Sequence, residues 1–120
     1  MTGLERRTYK FALALQRKKD HPAAVIGAGK SYFKNVNRSG PISPHLISSK
    51  LRIKLLTIGE MYAPVNGNFL GCCAEVNAAN RVLHKLPHLK LYEIDFANAR
   101  RPRTMQIIPP CLNCKITFSL

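Results

Sequence analysis

The chain has 120 residues, enough for one domain with a buried core but not for a second unit. Its 46% hydrophobic content excludes wholesale disorder, and the apolar run Phe11 to Leu15 is too short for a spanning helix or a signal segment, so neither a membrane segment nor an export signal is expected. Nineteen Lys and Arg against six acids give a net charge of +13, a field that attracts polyanions.

Leu4 to Lys18 reads as an amphipathic helix, with Leu4, Phe11 and Leu15 on one side and basic residues on the other, ended by His21-Pro22. Ala23 to Ala28 is a short apolar run that predicts a buried strand. Gly29-Lys30 then predicts a turn into a second strand, Ser31 to Val36. Asn37 to Pro44 holds the breakers of a loop, and the basic, aliphatic stretch His45 to Met61 is compatible with a helix. Pro64 to Gly71 reads as loop. Cys73 to Lys85 predicts a helix whose buried stripe is Val76, Ala79, Leu83 and Leu86, stopped by Pro87. Leu89 to Phe96 alternates like a central strand, with Tyr92 and Phe96 in the core, and Tyr32 and Phe33 are expected there too. Pro102 to Gln106 is a basic loop, Ile107-Ile108 a short strand end, and Cys111 opens a brief helix. The order predicts an α/β fold of one domain, residues 1–120, with an N-terminal helix (1–20) and a core (21–120).

The chemistry sits in two blocks, Cys73-Ala74-Glu75 and Pro109-Pro110-Cys111-Leu112-Asn113-Cys114. A catalytic zinc takes three protein ligands and keeps one position open for water, and Cys73, Cys111 and Cys114 supply three. Glu75, two residues past Cys73, starts near such an ion without ligating it. It is placed to take a proton from water and return it to a ring nitrogen and a leaving amine. Two duller readings of the same residues stay open. Cys111 and Cys114 also fit a redox pair, and all four cysteines, Cys72 included, fit a closed structural zinc site; neither gives Glu75 a task. Cys72 alone reads as a small packed thiol. The four histidines share no ligand spacing with the cysteines.

Cys73-Ala74-Glu75-Val76-Asn77-Ala78-Ala79-Asn80 followed by Pro109-Pro110-Cys111-Leu112-Asn113-Cys114-Lys115 resembles the cytidine deaminase-like superfamily, and within it the YwqJ-like deaminases found as toxin domains of bacterial polymorphic toxin systems. The resemblance covers roughly Ala23 to Leu120. It implies a three-layer deaminase-like sheet flanked by helices and shortened at its C-terminal side, because six residues follow Cys114. It implies Zn2+ on Cys73, Cys111 and Cys114, with Glu75 as acid and base. Ala74 and Pro110 would meet the base through their backbone. Asn66 and Asn68 are the candidates for an upstream substrate asparagine, although Asn-Gly-Asn is also turn chemistry. Cytosine is the preferred base by analogy, and the toxin relatives imply an immunity protein as partner.

Basic runs at Arg6-Arg7, Arg17 to Lys19, Lys50 to Lys54 and Arg100 to Arg103 read either as solvated faces or as contacts to the phosphates of a nucleic acid or nucleotide. Arg100, Arg101 and Arg103 stand just before the second cysteine motif, where a substrate strand would enter. Cysteines at zinc-ligand spacing imply a reducing compartment, the cytoplasm of a producer or target cell, reached in the latter case as a delivered effector. A basic zinc-stabilised nucleic-acid-binding module without catalysis is the competing class of function.

Overall fold

At the centre of the computed structural model, which describes residues 2–120, strand β1 (Val25–Lys30) lies buried between two layers of helices. It pairs antiparallel with β2 (Phe33–Arg38) along its whole length, from Val25 opposite Arg38 to Lys30 opposite Phe33. Its other edge takes β5 (Asp95–Phe96) and β6 (Ala99–Arg100), and β7 (Ile107–Ile108) extends the sheet beyond β6. The result is an α/β fold built on an antiparallel sheet, as the order of elements predicts.

The alternation of β1 makes the layers. Val25 packs with Ala12 and Leu15 of α1 (Gly3–Arg17), while Ile26 and Ala28 point the other way into the main core. That second face is covered by α3 (Ala74–Lys85), with α2 (Ser49–Leu56) and α4 (Leu112–Phe118) beside it; Leu51, Leu55, Val82, Leu83 and Phe118 are buried there. Each such side chain contributes about 1.5–3 kcal/mol on burial. Val76, Ala79, Leu83 and Leu86 form the predicted buried stripe. On the opposite face α1 lies very close to the sheet. A Cβ on Gly27 would stand 2.7 Å from Thr8 Oγ1 and 3.1 Å from the Leu4 carbonyl oxygen. Thr8 turns its hydroxyl into its own helix, donating to that carbonyl at 2.8 Å.

β5 and β6 are one strand interrupted by a bulge. Ala28 faces Phe96 and Val25 faces Arg100, so three steps along β1 are matched by four on the partner. The Ala97 N–H still reaches the Gly27 carbonyl at 2.9 Å, and the Asn98 N–H, taken out of the ladder, donates to Glu5 Oε1 of α1 at 2.7 Å. The acid in the first turn of α1 therefore satisfies the donor that the bulge would leave unpaired.

Three sequence expectations need correction. The hairpin is displaced by two residues: Gly29 and Lys30 belong to β1, and the turn is Ser31-Tyr32, with Ser31 at φ 53 and Tyr32 79% exposed. Leu89 to Phe96 is not a continuous strand. Pro87 cannot join a ladder, and the Lys90 N–H is taken by the Glu93 carboxylate at 2.9 Å, so Leu91–Glu93 forms a 3-10 turn and only Asp95–Phe96 is strand. Tyr92 lies outside the core, whereas Phe96 meets Phe118 edge to face at 5.0 Å between ring centroids. Lastly, the loop before the first cysteine motif holds a small hairpin, β3 (Pro64–Val65) with β4 (Asn68–Phe69), turned by Asn66 and Gly67 at φ 51 and 81. No helix among the described residues is long and apolar enough to cross a membrane.

The close approach of α1 makes a direct prediction. Gly27→Val should lower stability by about 1–3 kcal/mol, read as a lower urea midpoint at unchanged slope. An unchanged midpoint would mean that α1 does not rest on β1.

Candidate metal centre

Two helix starts meet here. Gly71, at φ 85, turns the chain out of β4, and Cys73 is extended at φ −69, ψ 150 as the cap of α3. Pro109 and Pro110, which lack N–H groups, bring the chain to Cys111, extended in the same way at φ −73, ψ 165 as the cap of α4. The thiols of Cys73, Cys111 and Cys114 thereby come within 4.8 Å of one another, with Cys73 Sγ 3.3 Å from Cys111 Sγ. All four cysteines are free, and these sulfurs are far beyond the about 2.05 Å of a disulfide. Thiolates on one tetrahedral ion at about 2.3 Å stand about 3.8 Å apart, so the three can hold a metal ion after small shifts. Cys72 is outside the cluster and half-buried, its backbone tied to Phe69 and Gly40. Burial pushes its thiol up.

The cluster polarises itself. Contact with the sulfurs of Cys114 and Cys73 pulls the Cys111 thiol down, with the N–H groups of Cys114 and Asn113 at the head of α4 adding to the pull. The same contact with Cys111 pushes Cys73 and Cys114 up, and burial adds to both shifts. Glu75 is 6% exposed and is the one buried acid among the described residues. Burial pushes its carboxyl up, and the Cys111 charge adds to the shift. It borders a cavity of about 490 Å³, open to solvent, whose floor includes Cys73, Ala74 and Cys111.

The other expected site residues divide. Ala74 and Asn68 line this cavity; Pro110 does not, its place being taken by Pro109 and Ile108. Asn66 is also away from the cavity, its amide donating to Asn113 Oδ1 at 2.9 Å. Arg101 lines the cavity. Arg100 turns back into the fold, donating to the Met105 carbonyl at 2.9 Å and lying over the Tyr9 ring at 5.2 Å, so it is not a free phosphate contact. Arg103 is exposed beside a neighbouring recess.

Three buried asparagines, a half-buried one and one aromatic were not singled out by the sequence reading. Asn113, between the two cysteines of α4, donates to the Val65 carbonyl at 2.9 Å and accepts from Asn66, which clamps the β3–β4 hairpin to that helix. Asn77 of α3 donates to the carbonyls of Arg38 and Gly40 at 2.8 and 2.9 Å, fixing another wall of the cavity. Asn80 pairs with the backbone of Leu46 and Ser48. Asn35 of β2 donates to Ala78 of α3 at 3.0 Å. For Asn77, Asn80 and Asn113 the available signal was asparagine inside helical segments, where it is a poor helix former; Asn35 lies in a strand and gave no such signal. Phe69, 61% exposed at the cavity mouth, follows Asn68 on the same hairpin.

Comparison with family models, with curated proteins and with solved structures returns no match.

Metal uptake must displace the protons that Cys73 and Cys114 hold above the ordinary thiol range, so affinity rises with pH and is lost in acid. With zinc as the probe, competition against a chromophoric chelator should show one site per chain and a gain of at least about 10-fold per pH unit near neutrality, as the ligand thiols give up protons to the ion. Cys72→Ser should leave that curve unchanged and Cys114→Ser should abolish it. Asn113→Ala should weaken zinc binding by about 10–100-fold without removing a ligand.

Proposed function

We propose that the protein is a zinc-dependent hydrolytic deaminase of a nucleobase, cytosine in preference, carried in nucleic acid or nucleotide. One observation supports this above the others: Glu75, the one buried carboxylate among the described residues, lines an open cavity together with Cys73 and Cys111 of the three-sulfur cluster. A purely structural metal site has no use for that acid or for access from solvent. The donor set suits zinc, since three thiolates satisfy a borderline-soft cation and leave its fourth position open. When bound, zinc supplies the Lewis acidity that makes water nucleophilic near neutral pH.

The chain's own groups carry the rest. Glu75, its carboxyl pushed up by burial and by the neighbouring Cys111 charge, holds a proton more readily than an exposed carboxylate and is suited to taking one up and giving it back. It takes a proton from water as the oxygen adds to the amidine carbon and passes it to the ring nitrogen, then takes the second proton from the newly added hydroxyl and gives it to the exocyclic amine. The C–N bond then breaks, ammonia departs and a carbonyl remains. Ala74, Pro109, Asn68 and Phe69 all line the cavity; in this reading the backbone of the first two meets the base, Asn68 supplies an amide and Phe69 a ring for the base to stack on. The rigid backing of Asn77 and Asn113 holds these walls before substrate arrives. The toxin role, with its immunity partner, rests on the sequence resemblance and follows from the same chemistry turned on a cell's nucleic acid.

Glu75→Ala in zinc-loaded protein should lower ammonia release from cytosine-containing oligonucleotides by at least about 10²–10⁴-fold, with zinc content unchanged. Turnover that survives the substitution excludes Glu75 as the proton carrier. No turnover from the unsubstituted zinc-loaded protein, with oligonucleotide binding intact, replaces the enzyme by a non-catalytic, zinc-stabilised binding module.

A further inference from the structure

Beside the cavity at Glu75 lies a second recess of about 370 Å³, and the two share Pro22, Ala23 and Arg101. Its polar lining is His21, Arg101, Arg103 and Thr104, with no acidic side chain. The nearest acid in sequence, Asp20, is occupied by both guanidinium nitrogens of Arg38, at 2.7 and 3.0 Å. Neither Arg101 nor Arg103 enters an ion pair among the described residues, in contrast to Arg38.

The turn that carries these two arginines is built to hold still. Pro102, between them, is fully buried, so its neighbours project outward. The Arg101 N–H donates to the Gln106 carbonyl at 2.9 Å, and the Met105 N–H returns to the Arg101 carbonyl at 2.7 Å. Gln16 of α1 donates to the Arg103 carbonyl at 3.3 Å. Two free guanidiniums on a fixed turn, with a histidine across the recess, match the donor geometry that phosphate oxygens accept.

We propose that this recess is a phosphate subsite, formed by Arg101, Arg103 and His21, which receives the phosphate next to the nucleotide whose base enters the first cavity, so that the ligand is a single-stranded oligonucleotide and not a free nucleoside. Identifying the first cavity as the base site rests on the deaminase reading; the phosphate subsite itself does not. Arg101, lining both cavities, is the hinge of the recognition, because it lies within reach of the base's own nucleotide and of its neighbour. A base inside a duplex would have to leave its stack to enter, which favours a single strand.

The test is fluorescence anisotropy with a labelled cytosine-containing DNA 8-mer on the full-length, zinc-loaded Glu75→Ala chain across a salt series. Against that background, Arg101→Ala/Arg103→Ala is compared with Lys85→Ala/Lys90→Ala, which removes the same charge from exposed positions lining neither cavity. The arginine pair should weaken binding at least about 10-fold and flatten the dependence of log affinity on log salt by about 1.4, the release of two phosphate contacts from a single strand. The lysine pair should change affinity less than about 3-fold. Equal losses from both pairs, or none from the arginines, overturn the subsite and leave only a diffuse basic field. Because Glu75→Ala reads binding alone, an absence of deamination in the unsubstituted chain would remove the enzyme reading and leave the subsite standing. Conversely, free cytidine deaminated as efficiently as the 8-mer would remove the subsite and leave the enzyme reading.

Discussion

Three sulfurs within one coordination radius cannot all be charged without a cation between them. In Cys73, Cys111 and Cys114 their mutual contacts pull the Cys111 thiol down and push the other two up. That arrangement explains why the two cysteine motifs sit at helix starts, where extended caps aim the sulfurs at one another. It also explains the state of Glu75, whose burial beside a thiolate raises its affinity for a proton. An arriving cation releases protons and reverses the local charge balance, so metal binding and proton handling belong to one electrostatic system.

The rest of the fold keeps that system in position and keeps one side of it open. α3 is fastened to the sheet through Asn35 and to the cavity wall through Asn77, while α4 is fastened to the β3–β4 hairpin through Asn113 and Asn66. Each ligand helix therefore holds, by a buried amide, a segment that also borders the cavity. α1 plays the corresponding part on the far face. Its Glu5 satisfies the bulge between β5 and β6, and Gln16 holds the turn that carries Arg101 and Arg103.

Much of this was legible in the sequence, for physical reasons that differ from element to element. The Val76, Ala79, Leu83, Leu86 stripe and the break at Pro87 were strong because helix periodicity and a missing N–H are local facts. The cysteine cluster was legible because few chemistries need those residues at that spacing. The hairpin position was not, since apolar content cannot tell Gly29 in a strand from Gly29 in a turn; the contact of Gly27 with α1 decides the register. Leu89 to Phe96 misled because its alternation is real, but the Glu93 carboxylate takes the Lys90 N–H and bends Leu91–Glu93 into a 3-10 turn. Arg100 was assigned by its position before the second cysteine motif, and Asn66 and Pro110 by the resemblance. Tertiary partners, the Met105 carbonyl and Tyr9 for Arg100 and Asn113 for Asn66, draw two of them away, and the chain's path past Pro109 does the same for the third.

The central claim is that one ion is held by three thiolates with a position left free. X-ray absorption at the zinc edge of the loaded protein tests it most directly. The account predicts three sulfur neighbours at about 2.3 Å and one oxygen or nitrogen neighbour at about 2.0 Å. Four sulfur neighbours, with Cys72 drawn in, would make the site closed and structural and would contradict it.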